Sequence, residues 1–288
     1  MVRRSMIPWT LAAAALLGAR TASADPIQFT GNVENDFSLA PGSSVVRYVD
    51  SPLPDGSSDP NHVPQAAWMT AEGRTTGWSI KDVRLAYDKA SDTLAVGVNF
   101  FGVAGDVDGN GLPGVPDPRT TAVGGLDTPH LGGRESISVG FDFNNTKVPQ
   151  VVAGVPADKS TAGPGIDGFT VAKYNETNQG LAYNYGKTLT DHLGGLAFDP
   201  SKAQPGFEFT VKNVSTFPGF DPSRGIGLSV FAGSPDDVVA GEDAYTWGPK
   251  PIPAAQQVTT PEPATILAWA AVVGLAGLRA RRGVAPLA

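Results

Sequence analysis

Asp106-Val107-Asp108-Gly109-Asn110-Gly111 carries the densest chemistry in the chain. Side-chain oxygens recur at alternate positions and a glycine stands where the backbone must turn sharply, the D-x-[DN]-x-[DN]-G opening of a calcium loop. Counted from Asp106, the seventh position is Leu112, which would offer its backbone carbonyl, and the twelfth is Asp117. A bidentate glutamate is usual at the twelfth position, and aspartate is a shorter ligand. The expected ligand set is therefore Asp106, Asp108, Asn110, Leu112 and Asp117, with calcium as the cofactor. Its role would be structural, neutralising crowded carboxylates and pinning a long loop. The competing reading is a solvated Asp/Gly turn without an ion.

The flanks of this loop are not helical. Phe100-Phe101 ends a strand-like run, and Pro113 and Pro116 oppose any helix that follows. A paired EF-hand is excluded. The segment resembles the isolated calcium loops of dockerin-like or thrombospondin-like proteins, inserted between strands.

Little else in the sequence points to catalysis. His62, His130 and His192 are the only histidines, and none has a partner at metal-ligand spacing. There is no cysteine, so disulfides, thiolate nucleophiles and Cys-ligated metals are absent. No G-x-S-x-G elbow occurs. Gly163, Gly165, Gly168 and the pair Gly194-Gly195 read as loop glycines without a phosphate-loop lysine. Acids are plentiful, but Glu135 and Asp142, seven apart on one expected strand, face opposite sides. Trp68, Trp78, Trp247, Tyr174, Tyr183 and Tyr185 could form a sugar-stacking platform, though Trp78 and Trp247, at strand ends, read most simply as core edge. Tyr183 and Tyr185, in a polar Asn-rich stretch, are the candidate sugar-stacking pair.

The elements that must position these residues are strands. Asp82–Tyr87 places Val83, Leu85 and Tyr87 on one face, Lys89–Asp92 turns, and Thr93–Phe101 returns with Leu94, Val96, Val98 and Phe100 together. Glu135–Phe143, Gly168–Tyr174, Phe207–Val214 and Ile226–Phe231 repeat the period of two, and Ala244–Trp247 forms a short last strand. Ile27–Thr30 and Ser44–Tyr48 are shorter candidates, and Ser51–Gln65 is a loop rich in Pro, Ser and Asp. The expected fold class is all-β, an antiparallel β-sandwich with long loops. The order of strands across Gly77–Trp247, with Tyr87-Asp88 at a strand end, resembles DOMON-like sandwiches and family-nine-type carbohydrate-binding modules. That resemblance implies sugar binding on aromatic residues.

Both ends read as targeting segments. Arg3-Arg4, the apolar run Met6–Leu17 and the small-residue site Ala22-Ser23-Ala24 follow the plan of a signal peptide over residues 1–24, a substrate for signal peptidase. Residues 25–248 form the body and 249–260 a Pro/Ala/Gln/Thr linker. Beyond them come Pro261-Glu262-Pro263, the apolar stretch Thr265–Leu278, and Arg279, Arg281 and Arg282. The stretch is 14 residues, about 21 Å of helix against a hydrocarbon core of about 30 Å, so it is a short transmembrane helix with a basic membrane stop. The arginines stay cytoplasmic and the body lies outside. Residues 261–288 resemble the PEP-CTERM sorting tail. That family's tails are processed by an exosortase-type protease near the Pro-Glu-Pro triplet, and its members reach the cell surface or the extracellular polymer matrix. The extra Gly283–Ala288 after the arginines is longer than the family pattern.

The formal net charge is −7. Setting aside the six arginines and the one acid of the two ends leaves 15 basic against 27 acidic side chains, near −12 for the body. Nucleic acid is excluded as a partner, since phosphate binding needs a basic face. The functional expectation is an exported, non-catalytic surface or extracellular-matrix protein, transiently membrane-anchored, with exopolysaccharide as a possible partner. A secreted carbohydrate-binding module and a polysaccharide-active hydrolase are the alternatives.

Overall fold

The structure is a computed structural model that describes residues 27, 29–41, 43–49, 65–112, 114–125, 127, 131, 135–157, 168–176, 180–198, 206–234 and 243–254. They belong to one compact unit, Pro26–Ala255. The signal, the sorting motif, the arginine stop and the apolar tail lie outside the described residues. Among the described residues no helix is long and apolar enough to cross a membrane.

Among the described residues, eleven strands form two antiparallel sheets. The first has the order β1 (Val45–Val49), β2 (Ile80–Asp88), β3 (Thr93–Phe100), β9 (Phe207–Lys212), β8 (Leu193–Ala197). The second has the order β11 (Asp243–Lys250), β10 (Ile226–Gly233), β4 (Ser136–Asp142), β5 (Val151–Val155), β6 (Thr170–Tyr174), β7 (Tyr185–Thr188). The period-two pattern sets the register. In the first sheet Tyr48, Val83, Val98 and Phe207 lie side by side across four strands, and the next row in is Val46, Leu85, Val96 and Phe209. In the second, Val230, Val139, Ala153 and Val171 form the matching row. These rows merge into one apolar core. At about 25 cal/mol per Å² of apolar area, that burial is the main stabilising term.

Polar stitches join the sheets where the core thins. The Tyr48 hydroxyl donates to the Ile226 carbonyl at 2.6 Å, and the Trp247 indole donates to the Val49 carbonyl at 2.8 Å. The Asp243 carboxylate accepts from the Ile80 amide at 2.9 Å.

Several elements differ from the sequence reading. Ile27–Thr30 is not a strand: Ile27 and Phe29 pack on the outer face of the first sheet, ahead of a short helix α1 (Val33–Asp36). β5 was not expected. All five of its residues are buried, so its outer face is covered and no alternation marks it. Gly194-Gly195 lie in β8 rather than a loop. A Cβ at Gly194 would stand 2.0 Å from Thr210 Oγ1, so only glycine lets these strands approach. β11 runs to Lys250, past the expected start of the linker at residue 249, and Ile252 beyond it is buried. β11 is an edge strand, with exposed Gly248 and Pro249 near its end and a register shift against β10 between Ile226 and Leu228.

Candidate metal centre

The chain between β3 and β4 carries the candidate site. Its first turn is laid against Thr75–Ser79. The Gly77 amide donates to the Asp106 carbonyl at 2.6 Å, and the Phe101 amide donates to the Ser79 carbonyl at 3.0 Å. Glycine is required at two points of this approach. A Cβ on Gly77 would lie 1.8 Å from the Val103 carbonyl oxygen, and Gly109, at φ +64°, would meet the Thr75 backbone at 2.5 Å.

This folding brings together Asp106, Asp108 and Asp127, whose carboxylate oxygens lie within 4.8 Å of one another. All three side chains are buried, at 5 % exposure or less. Their donors are mostly backbone amides. Asp106 accepts from Gly111 at 2.6 Å and Asn110 at 3.3 Å. Asp127 accepts from Val107 and Gly114, each at 3.2 Å. Asp108 accepts from the amides of Asn110 and Asp117 and from the Thr120 hydroxyl at 3.2 Å. Among the described residues no lysine or arginine forms a salt bridge with any of the three. Burial pushes the Asp106 carboxyl up to about 6, and the Asp108 charge adds to it. Burial pushes Asp127 up to about 7, with the charges of Asp106 and Asp108 contributing. The amides position the oxygens but supply no compensating charge. Hard oxygen donors of this kind fit a hard divalent cation such as calcium or magnesium.

The expected ligands therefore divide. Asp106 and Asp108 meet, while Asn110, Leu112 and Asp117 turn elsewhere. The Asn110 side-chain oxygen accepts from the Leu112 amide at 2.7 Å, and its Nδ2 donates to the Val115 carbonyl at 2.6 Å. The Leu112 carbonyl accepts from the Val115 amide at 3.0 Å, and its side chain is exposed. Asp117 caps the N-terminus of helix α3 (Pro118–Ala122), its carboxylate accepting from the Arg119 amide at 2.9 Å. The same carboxylate pairs with the guanidinium groups of Arg119 and Arg74, at 2.9 and 3.0 Å. Arg119 holds it well below the usual carboxylate range. Asp117 thus fastens the loop to the turn that follows helix α2 (Ala67–Ala71), and the Arg119 guanidinium lies 4.0 Å from the ring of Trp68 in that helix.

Asp127 was missed. It stands ten residues past the template's last position, and only the tertiary path of the loop brings it back. The weak local signal was an acid just after Gly124-Gly125, where a turn could present it.

The other expected site residues are separate. Tyr183 sits in a 3-10 turn and Tyr185 opens β7; both are half-buried rather than exposed. The Tyr185 hydroxyl is hydrogen-bonded to Ser138 Oγ at 2.9 Å, which holds its ring against the second sheet. His192 stacks on Phe217 at 4.2 Å between ring centres, while His62 and His130 lie outside the described residues. Trp78 is fully buried and Trp247 is 9 % exposed, so both are core. No protein-family model, curated protein or solved structure matches this chain.

Proposed function

We propose that this is an exported, non-catalytic surface or extracellular-matrix protein whose sandwich is stabilised by a calcium ion held by Asp106, Asp108 and Asp127. The observation that carries the cation is the convergence of three buried carboxylates with no salt bridge to a lysine or arginine among the described residues. Leaving such charges uncompensated in a dry site is costly, and a divalent cation offsets them. The role is structural because the loop between β3 and β4 is long: Ala104, Val107 and Leu131 seat parts of it in the core, and the ion would tie its carboxylate turn to Asp127.

Export rests on the two ends. The signal plan over residues 1–24 and the Pro261-Glu262-Pro263, apolar and Arg279, Arg281, Arg282 order of the tail support delivery across the membrane. Processing there would fall to signal peptidase and an exosortase-type protease, with exopolysaccharide of the matrix as the neighbouring material.

Two measurements test this reading separately. Metal analysis of the full chain after dialysis against calcium should find one ion per chain, lost in Asp108→Ala; no bound ion defeats the cation claim. Mass spectrometry of the protein from its native cells should find residues 1–24 missing and the chain cut near Pro263. An intact polypeptide in the cytosol defeats the export claim.

A further inference from the structure

Another buried carboxyl, that of Glu208, lies on the face of the first sheet turned away from the core. Arg47, Arg84, Gly97, Glu208 and Ala197 form one row across the five strands, pointing away from the core. Residues 29–37 cross over this row as a strap. Val33 and Phe37 of the strap join Ala86 and Ala95 of the sheet in a small buried apolar cluster, and the Phe29 and Phe37 rings stack at 6.0 Å. Gly97 makes the seat. A Cβ there would stand 2.8 Å from both Phe37 and Val33. Gly206 makes another, since its Cβ would stand 2.4 Å from Val33.

Each end of the strap has a polar fastening. At the far end Arg84, itself bonded to Asp82 at 2.7 Å, donates to the Phe37 carbonyl at 2.9 Å. At the near end the Gly206 amide donates to the Gly31 carbonyl at 2.7 Å, and the Gly31 amide donates to Glu208 Oε2 at 2.8 Å. Glu208 is fully buried, and its other oxygen, Oε1, finds no donor. Asp36 of the strap is the charged group beside it, and both Asp36 oxygens accept from the Thr30 hydroxyl. Two acceptor groups side by side, one of them sealed from water, are satisfied only if a proton stands between them.

The geometry points to a proton-locked strap: neutral Glu208 donates from Oε1 to Asp36 while Oε2 holds the Gly31 amide, and loss of that proton loosens residues 29–37 from the sheet. The groups facing Glu208 are consistent with this. From the strap there is Asp36, from β3 the neighbour is Gly97, and from β8 it is Ala197. Arg84, two strands away across Gly97, is taken up by Asp82 and the Phe37 carbonyl. Glu34 is taken up by Lys81 and Asn99. No basic group thus replaces the proton among the described residues. Burial holds the Glu208 carboxyl at about 8, against an ordinary value near 4.5.

The sign follows from linkage. Between about 4.5 and about 8 the closed strap binds a proton that the open strap releases, so closure weakens as pH rises through that window and is constant above it. Opening uncovers the apolar seat formed by Ala86, Ala95 and Gly97.

Hydrogen exchange of the full chain, corrected for the intrinsic pH dependence of exchange, tests this. Opening of the segment 29–37 should rise up to tenfold per pH unit between pH 5 and pH 8 and then level, while β4 stays protected throughout. Glu208→Gln keeps the acceptor for Gly31 and donates permanently to Asp36, so its strap should stay shut with no pH slope. The inference is overturned if the wild-type segment shows no slope, if Glu208→Gln shows the same slope, or if β4 opens together with the strap. The wild-type slope decides the matter even where the variant fails to fold. Gly97→Ala, which pushes Phe37 and Val33 off their seat, supplies the open reference at every pH.

Discussion

Consider the full chain stripped of divalent cations and then given calcium. The three carboxylates of the triad lie within 4.8 Å of one another, so each ionised pair costs about 3.5 kcal/mol at an effective dielectric near 20. Three such pairs would oppose folding by about 10 kcal/mol, as much as the whole stability of many domains. That load is relieved either by proton uptake or by a cation. Calcium at about 100 times its dissociation constant should stabilise the fold by about 2.7 kcal/mol, which in a domain of this size raises Tm by about 5–11 °C. Asp127→Asn separates the two terms. It removes one repelling charge, so in chelator the variant should melt no lower than wild type. It also removes a ligand, so calcium should move its Tm by no more than about 2 °C, a shift of under 1 kcal/mol. Scanning fluorimetry at pH 7.5 in EDTA and in calcium measures all four states. Equal melting of wild type in the two buffers would refute the reasoning. So would strong destabilisation of Asp127→Asn in EDTA, which would mean that the carboxylate matters for its hydrogen bonds and not for an ion.

Other substitutions probe neighbouring parts of the argument. Asp117→Ala should lower the melting temperature by uncapping α3 and freeing Arg119, yet leave the calcium response intact; loss of that response would restore Asp117 as a ligand. Asp82→Asn should destabilise by about 3–5 kcal/mol in urea titrations, because the buried Arg84 charge would lose its carboxylate partner and keep only neutral acceptors. Wild-type stability should fall from about pH 4.5 to about pH 8 by an amount that Glu208→Gln removes, since the native state binds the extra proton in that range. Matching urea midpoints for the two proteins across that range would contradict it.

The sandwich was legible where large apolar residues on one strand face alternate with small or polar ones on the other. Val83 and Leu85, and Leu94, Val96 and Val98, alternate in that way, and the hairpin between them stands as read. β5 escaped because its valines fall on both faces, Val151 and Val155 on one and Val152 on the other, leaving a short apolar run with a glycine in it. β8 escaped because its glycines look like loop residues until Thr210 is seen pressing on Gly194. The site divided along the same line. Asp106 and Asp108 are two residues apart, so local turn chemistry alone aligns them. Asp127 joins them only after α3 and the Gly124-Gly125 turn redirect the chain, which no local spacing encodes. The template position at Asp117 misled because an N-cap and a twelfth ligand both call for an acid there, and proline at the next residue favours the cap.

The position of β11 at the end of its sheet bears on how such a molecule behaves at high local density. A sheet's outermost strand offers unpaired amides and carbonyls to any passing chain, and fibres grow by that route. Here that strand ends in Gly248, Pro249 and Lys250: the proline lacks an amide hydrogen, and the lysine brings charge and a long side chain that reaches back to the Arg47 carbonyl. The offset between Ile226 and Leu228 adds local twist along the same margin. Along its last residues β11 is therefore a poor template for a strand of a neighbouring copy.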